Sequence, residues 1–238
     1  MNEKAEEILN ILKQSGIKNV TIGFSTGKDS IVGLDLLLKA GINVIPIYFY
    51  ICPDLKFIDE NIKLYENHFN IKIVQLRHPA LYSHLGCADW QPWDKVLYMD
   101  QIAIKSHKFS DIIRKYLQNK GLLEKYQYDC NCMKESDSLN RRILLSKKSF
   151  IDRDKKIIYL TKKFTHKDIF AYIAENKIPL TKDYEIFGRS WDGMSYHFLT
   201  GVEKYYPEDF ETMKKYFPLI EAELYRYKLY KKYGKLGQ

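Results

Sequence analysis

The sequence predicts an α/β fold: a doubly wound, mostly parallel sheet of five strands with helices on both faces. Three observations support this prediction. Through residue 76, apolar runs alternate with segments whose apolar residues recur at helical spacing, which is typical of strands joined by helical crossovers. The second of these strands is apolar nearly throughout, as a parallel strand covered on both faces should be. A chain of 238 residues is also long enough to bury a full core.

The first third of the chain gives a regular succession of elements. Each strand is an apolar run, and each helix has an amphipathic pattern or a turn residue at its end, such as Gly41. In chain order, the predicted elements are helix 3–15, strand 20–24, helix 29–40, strand 43–50, a helix from residue 53 to about 69, and strand 71–76.

The remainder of the chain is less regular. Residues 77–107 hold an aromatic-rich loop and then a helix from Asp94, and residues 179–201 form a second loop rich in glycine, aromatic and charged residues. A capping-box pattern begins the helix that follows Thr165. The other predicted elements are helix 110–117, strand 126–133, helix 138–145, strand 156–160, a helix from 165 to about 176, and helices 207–216 and 218–230.

Composition and charge limit the classes of function. The formal net charge is +8, which permits a nucleic-acid partner without requiring one. Only seven of the 38 basic residues are arginine, and the lysines are scattered over several helices, as expected for solvated faces. No apolar run is long enough to span a bilayer, and the charged N-terminus has no signal-peptide core. We therefore expect a cytoplasmic protein with no membrane partner.

The four cysteines suggest packing rather than a metal cluster. Cytosolic cysteines stay reduced, and the Cys-x₂-Cys spacing of zinc and iron–sulfur sites is absent. Cys130 and Cys132 would share one face of an extended strand. A four-cysteine site that also uses Cys52 and Cys87 stays open as an alternative, but buried packing is favoured.

The segment Val20–Leu34 is the most informative part of the chain. Its apolar strand leads through small residues directly into a helix, so that loop N–H groups and the positive end of the helix dipole converge on one point. Lys28 adds a charge to this point. Hydroxyl and backbone donors that complete the predicted phosphate site come from Ser25, Thr26, Gly27, Asp29 and Ser30.

This loop differs from two common phosphate loops. A Walker A loop has four residues between its glycines and a hydroxyl residue after its lysine, whereas here three residues separate Gly23 and Gly27, and Asp29 follows Lys28. The Gly-x-Gly-x-x-Gly fingerprint of dinucleotide-binding folds is also absent.

A second constellation follows the strand predicted at 126–133. In open α/β sheets, ligands bind outside the carboxyl ends of the strands, so this segment is expected to face the same crevice as the loop. Arginine is favoured as an anion contact because it donates two parallel hydrogen bonds. The predicted contacts are Lys134, Asp137, Ser138, Arg141 and Arg142.

Together these motifs resemble the PP-loop ATP pyrophosphatase, or adenine nucleotide α-hydrolase, superfamily. Ser25–Ser30 resembles its Ser-x-Gly-Lys-Asp-Ser loop, and Asp137–Arg141 is similar to the motif that the phosphoadenosine phosphosulfate (PAPS) reductase-like family carries after its fourth strand. Lys134 stands where that family usually has arginine. The segments Gly188–Gly193 and Phe217–Glu223 are similar to small phage or mobile-element members.

The resemblance implies a HUP-type nucleotide-binding domain over residues 1–165 and a helical and loop extension over 166–238 packed on it. It implies binding of ATP, or PAPS, with Mg²⁺ and cleavage of ATP at the α-phosphate to AMP and pyrophosphate. Lys28 and Arg141 are the implied catalytic residues, and Asp29 is the implied metal contact. Tyr48 and Phe49 lie where the family reads adenine. Further contacts to a substrate or sulfate group are implied for Arg77, His78 and Arg189.

Departures from the family leave alternatives open. Reductases of this kind carry a cysteine in the C-terminal tail, and here the last cysteine is Cys132. The ligands of an iron–sulfur cluster are absent too. A PAPS- or APS-binding reductase or sulfotransferase-like enzyme, sulfur transfer to a nucleic acid through Cys130 or Cys132, and a non-catalytic nucleotide sensor all stay alternatives. A protein acceptor and a homodimer also stay open.

Overall fold

A computed structural model describes residues 3–102 and 108–234. The predictions for the loop and helix over 77–107, and for the two ends of the chain, extend partly outside these residues. In chain order the elements are α1 Glu3–Gln14, β1 Asn19–Gly23, α2 Lys28–Lys39, β2 Asn43–Tyr50, α3 Lys56–Phe69, β3 Val74–Arg77, α4 Leu81–Leu85, α5 Trp93–Ile102, α6 Phe109–Asn119, β4 Tyr128–Asn131, α7 Leu139–Ser146, β5 Ile151–Asp152, β6 Ile157–Tyr159, α8 His166–Glu175, α9 Asp183–Phe187, α10 Tyr196–Tyr205, α11 Pro207–Tyr216 and α12 Ile220–Tyr233. A single 3₁₀ turn, Glu135–Asp137, precedes α7.

The strands form one mostly parallel sheet in the order β3-β2-β1-β4-β6-β5. β1 pairs in parallel with both β2 and β4, and β4 pairs in parallel with β6. The chain therefore winds outward from β1 to β3 in one direction and resumes on the other side of β1 with β4. A crevice forms at such a switch point, outside the carboxyl ends of the strands. The predicted phosphate loop follows β1, and the second constellation follows β4.

Helices cover both faces of this sheet. On one face, Ile113 and Leu117 of α6 pack with Ile47 of β2. On the other face, Gly33 of α2 lies close to Ile22 of β1. Ile22 pairs with Pro46 and points to the same face as Pro46, whereas Ile47 is the next residue along β2. Since successive strand residues point to opposite faces, the two helices lie on opposite sides. The doubly wound arrangement predicted from the sequence is confirmed.

The strand count was wrong by one. Five strands were predicted, and the structure has six. The additional strand, β5, contains two residues and pairs antiparallel with β6. A two-residue strand is too short to show an alternating pattern in the sequence, so only its partner was recognised.

The region predicted as a loop at 179–201 contains α9 and most of α10. α9 has only five residues, which is too few for a helical pattern. α10 buries Phe198, Leu199 and Val202, but Gly201 interrupts that pattern. A Cβ at this glycine would lie 2.3 Å from the Phe187 ring, so the glycine permits α9 and α10 to approach each other. α4, in the aromatic-rich loop, was missed for the same reason as α9.

The chain divides into two compact units. The first consists of the described residues up to Phe49, together with Ile62–Leu76 and Ile113–Lys182. The second consists of Tyr50–Asn61 and the described residues of Arg77–Ile112 and from Asp183 onward. The domain boundary at residue 165, expected from the sequence, is not the boundary between these two units and stays a prediction.

A close contact within the first unit fixes α2 against the segment that follows β4. A Cβ on Gly33 would lie only 2.4 Å from Cys132 Sγ, so any side chain at residue 33 would displace the thiol. The helix that begins at the phosphate loop is thereby held against the start of the second constellation.

Within residues 3–102 and 108–234, none of the helices has both the length and the apolar character needed to cross a membrane.

Candidate functional site

The loop between β1 and α2 is short and conformationally defined. Phe24 N–H donates to Ile47 O at 2.8 Å, which extends the pairing of β1 with β2 by one residue. Thr26 then adopts a left-handed backbone with φ of 55°, an unfavourable conformation for a β-branched residue. Gly27 returns to extended geometry as the N-cap, and the helix begins at Lys28. The strained residue thus reverses the chain so that the helix starts immediately after the strand.

Two of the predicted donor side chains brace this loop internally. Ser30 Oγ donates to Gly27 O at 2.8 Å and accepts from Ser25 N–H at 3.2 Å. Thr26 Oγ1 donates to Ser25 O at 2.7 Å. Thr26 and Ser30 are both buried, whereas Ser25 is exposed. The hydroxyl groups of Thr26 and Ser30 therefore fix the loop, and Ser25 is the hydroxyl residue that faces solvent.

The N-terminus of α2 has the properties of an anion site. Its N-cap is a glycine, which has no side chain to accept from the N–H groups of the first turn. Those N–H groups have no partner within the helix, and they carry the positive end of its dipole. An anionic ligand satisfies both conditions at once.

Lys134 joins this loop to the segment after β4. Its side chain is 1% exposed, and its Nζ lies 2.5 Å from Asp29 Oδ2 and 2.9 Å from Asp137 Oδ1. Asp29 and Lys134 are 105 residues apart in the chain. The structure thus brings together the phosphate loop and the segment after β4, and the contact between them is an ion pair with a buried lysine.

Asp137 continues the network towards solvent. Its Oδ2 accepts from Arg141 Nη1 at 2.6 Å, and Arg141 is about half exposed, at 47%. Burial alone would raise the pKa of Asp137, but hydrogen bonds from Lys134 and Arg141 outweigh it and lower the pKa. Asp137 is therefore ionised at neutral pH, and Arg141 is held at the outer end of the network.

The network contains more positive than negative charge. Lys28, Lys134 and Arg141 supply three cations against the carboxylates of Asp29 and Asp137. Such an excess beside an uncapped helix N-terminus favours a polyanionic ligand.

One atom of the network fits a magnesium ion. Asp29 Oδ1 is buried and accepts no hydrogen bond from any described residue, although Asp29 Oδ2 pairs with Lys134. Across residues 3–102 and 108–234, no three His, Cys, Asp or Glu side chains cluster as metal ligands. Mg²⁺ bound to a nucleotide needs few, since one or two carboxylates and the phosphate oxygens suffice.

Four other predicted residues of the first unit have different surroundings. Ser138 is the N-cap of α7 and accepts from Arg141 N–H at 3.2 Å. Arg142 is exposed. The Phe49 side chain packs against the core cluster of Ile47, Ile113 and Leu117. Tyr48 is buried, at 4% exposure. β2 extends beyond Ile47, the last residue in register with β1.

The remaining predicted contacts lie in the second unit. Arg77 donates to the hydroxyl of Tyr82 and stacks over its ring. Arg189 is exposed and pairs with Asp192. Their roles as substrate contacts stay predictions.

His78, also in the second unit, is poorly suited to bind an anion. Its Nδ1 accepts from Ala80 N–H at 3.0 Å, which places the ring proton on Nε2 in the neutral tautomer. Burial and the nearby His84 lower the pKa of His78. The ring is therefore uncharged at neutral pH and offers an anion only an N–H group.

Of the two cysteines near the site, Cys130 is buried and Cys132 is partly buried. Burial and nearby Asp129 raise the pKa of Cys130 well above its usual value. Burial raises the pKa of Cys132 to about 12, and Asp29 adds to this while Lys134 opposes it. Since the thiolate is the reactive form, a raised pKa disfavours reactivity of both thiols at neutral pH.

His166 is a neighbour of the site that sequence reasoning did not assign. It is the first residue of α8, and its Nε2 lies 3.8 Å from Asp137 Oδ1. Its position after the Thr165 cap was predictable, but its proximity to Asp137 depends on the pairing of β4 with β6. The side chain is 60% exposed.

No protein-family model and no curated protein matches this chain. Among solved structures, it is similar to the NH₃-dependent NAD synthetase from Campylobacter jejuni subsp. jejuni NCTC 11168, solved in complex with a nitrate ion. That similarity covers 94% of this chain and 94% of that chain, with 12% sequence identity and a TM-score of 0.47. At this level of similarity neither a family nor a substrate is identified.

Proposed function

We propose that this chain is an ATP pyrophosphatase of the PP-loop type, which binds ATP and cleaves it at the α-phosphate to activate an acceptor. One observation carries the proposal. The uncapped N-terminus of α2 lies at the switch point of the sheet and is joined, through the buried Lys134, to an outer arginine, Arg141.

The phosphate chain would occupy the end of α2. The β- and γ-phosphates would accept from the first-turn N–H groups of α2 and from Ser25. Lys28, which begins the helix, would offset the charge that builds on the pyrophosphate as it departs. Lys134 would position Asp29 and Asp137 rather than contact the ligand, because its ammonium group is enclosed between those two carboxylates.

The reaction would form one bond to phosphorus and break another. An acceptor oxygen attacks the α-phosphorus, the P–O bond to the β-phosphate breaks, and pyrophosphate leaves with the electron pair. Arg141 would stabilise the α-phosphate oxygens, because its planar guanidinium suits bidentate contact with phosphate. The products are pyrophosphate and an adenylated acceptor, and water as the acceptor gives AMP.

Asp29 Oδ1 is the atom that would hold Mg²⁺ together with phosphate oxygens. When bound, the ion would supply charge neutralisation along the phosphates. Backbone groups of Tyr48 and Phe49, at the end of β2, would contact the adenine.

The surroundings of the thiols argue against one alternative. Sulfur transfer through a persulfide on Cys130 or Cys132 needs an accessible, ionisable thiol. Cys130 is buried, Cys132 is partly buried, and the pKa of each is raised. PAPS binding draws on the same phosphate contacts as ATP and remains the second candidate.

The test is a ³¹P NMR assay of the purified protein with ATP and Mg²⁺. We expect AMP and pyrophosphate to accumulate, and the rate to fall about 100-fold or more in Lys28→Ala. Lys13→Ala, an exposed lysine of α1, is the matched control and should keep the wild-type rate. Release of ADP and phosphate, or equal rates for the two variants, would contradict the proposal. No turnover together with saturable PAPS binding would favour the second candidate.

A further inference from the structure

The last nine residues of α12, Tyr225–Tyr233, form an unusual helical segment of the second unit. Of these residues, only Tyr227 is partly buried; all the others are exposed. The helix is anchored earlier, where Ile220 and Leu224 are buried. The segment therefore extends from the anchored part of the helix with most of its side chains in solvent, and we call it the tyrosine–lysine segment.

The segment is strongly cationic. It contains Arg226, Lys228, Lys231 and Lys232 and no acidic residue. Arg226 is partly neutralised by Glu223 at 3.3 Å and Asp89 at 3.7 Å. The three lysines have spacings of three and four residues, which places them on one side of the helix.

The adjacent side carries aromatic rings. Tyr225, Leu229 and Tyr233 follow at intervals of four residues, and Tyr230 lies three residues before Tyr233. Tyr225 and Tyr230 are 63% and 69% exposed. Exposed rings that are grouped together, rather than scattered singly, mark a surface that contacts a partner.

Tyr227 shows that rings of this segment do stack. The Tyr227 ring stacks on the ring of Tyr196 in α10, with centroids 4.1 Å apart. Within the segment, Lys231 Nζ lies 4.9 Å from the centroid of the Tyr227 ring. This pair fixes the orientation of the helix against α10 and leaves Tyr225 and Tyr230 to solvent.

We propose that the tyrosine–lysine segment binds a single-stranded nucleic acid. A strand presents a line of phosphates beside a line of unstacked bases. The lysine side matches the phosphates, and the tyrosine side matches the bases, because base–aromatic stacking does not depend on sequence. A duplex hides its bases and matches only the lysines.

A membrane surface fits these residues less well. An interfacial helix needs a side of hydrocarbon groups that enters the acyl region. Here the side adjacent to the lysines has one aliphatic residue, Leu229, and its tyrosine hydroxyl groups keep the contrast in hydropathy between the two sides small.

The test uses the full chain and fluorescence anisotropy with labelled oligouridylate and oligothymidylate, in the absence of ATP. The outcome therefore does not depend on the proposed function. We expect a Kd on the order of 1–100 μM at physiological salt, and the ratio of the two affinities shows whether RNA or DNA is preferred.

Two variants separate the two sides of the helix. The triple variant Lys228→Gln, Lys231→Gln, Lys232→Gln should lower the slope of log K against log salt by about 2. The double variant Tyr225→Leu, Tyr230→Leu keeps apolar bulk and should weaken binding about tenfold while the salt slope is unchanged.

A charge-matched control decides whether the segment or the overall charge is responsible. Lys115, Lys120 and Lys167 are exposed lysines of the first unit, and their triple glutamine variant loses the same charge. It should bind as the wild type does. Equal weakening in this control, tighter binding of duplex DNA than of either single strand, or binding only to vesicles that contain phosphatidylserine would overturn the proposal.

Discussion

Two buried charged clusters, one in each unit, differ in how their charge is balanced. In the first unit, the ammonium group of Lys134 lies between the carboxylates of Asp29 and Asp137. In the second unit, Asp183 is fully buried, and it accepts hydrogen bonds from neutral groups, including Asn61 Nδ2 at 3.0 Å and the backbone N–H of Trp191 at 3.1 Å. The first cluster is balanced by opposite charges, whereas the second is solvated by dipoles.

The two clusters also differ in whether they reach solvent. Around Asp183, Trp191 packs edge-on against Phe57, whose ring also stacks on Tyr206. The first cluster instead ends at the half-exposed Arg141. The first cluster thus places a solvent-facing cation beside a helix N-terminus whose N-cap is a glycine, whereas Trp191 Nε1 in the second is buried. A buried charge is therefore not in itself evidence of a binding site. The evidence comes from the groups that a cluster presents to solvent, such as Arg141.

Lys134→Met gives the largest expected change in stability. Methionine nearly keeps the length of the side chain but leaves the two partly buried carboxylates of Asp29 and Asp137 facing each other without a cation between them. The free energy of unfolding should fall by about 3–5 kcal/mol, as measured by urea denaturation. Lys163→Met is the control, because Lys163 is about half exposed in its pair with Glu135, and its loss should be under about 1 kcal/mol. Similar losses of unfolding free energy in the two variants would show that the buried Lys134 contributes no more to stability than a half-exposed lysine.

The two carboxylates should respond to acid in opposite directions. The pKa of Asp137 is lowered, so its contribution to stability is present above its unfolded pKa and is lost as pH falls through its folded pKa. Burial raises the pKa of Asp183, against opposing hydrogen bonds from Asn61 and Trp191. Its contribution is therefore greatest at low pH and is lost as pH rises through its folded pKa.

This difference is measurable as the slope of unfolding free energy against pH between about pH 5 and pH 2. Asp137→Asn should flatten the fall in stability on acidification, by roughly 1 kcal/mol across that range. Asp183→Asn should steepen it, because a group that is stabilising when protonated has been removed. The same sign of change in both variants would show that the two clusters are electrostatically alike.

The smallest expected effect concerns the strained residue of the phosphate loop. Thr26 and Lys177 both have left-handed backbones, with φ of 55° and 53°. Glycine at either position relieves that strain, so each substitution should raise or nearly preserve stability, within about 1 kcal/mol. Only Thr26→Gly should weaken ATP binding, because only that loop orders the end of α2. Equal ATP affinities in the two variants would mean that the fixed loop conformation does not matter for binding.

The sequence was sufficient to predict the elements whose signals are local. The β1–loop–α2 unit was predicted because an apolar run, small residues and a helical pattern follow each other within 21 residues, Asn19–Lys39. β2 was predicted with its observed bounds, Asn43–Tyr50, because it is apolar nearly throughout. The meeting of the two motifs was also predictable, since they follow strands of one parallel sheet.

The features that were missed depend on long-range pairing or on very short elements. The burial of Lys134 follows from the parallel pairing of β1 with β4, which no local pattern reports. The Asp183 cluster joins α3 to α9, and Asn61 and Asp183 are 122 residues apart. Elements of two to five residues, such as β5 and α9, leave no measurable periodicity.

The most direct test of the central claim is isothermal titration of ATP with Mg²⁺ into the full chain and into Lys28→Ala, Arg141→Ala and Lys13→Ala. We expect saturable binding to the wild type and to Lys13→Ala, with affinity about tenfold or more weaker in the other two, since each removes one charge-assisted phosphate contact. No heat of binding to the wild type at millimolar ATP, or equal affinities in all four proteins, would contradict the claim that the end of α2 is a nucleotide site.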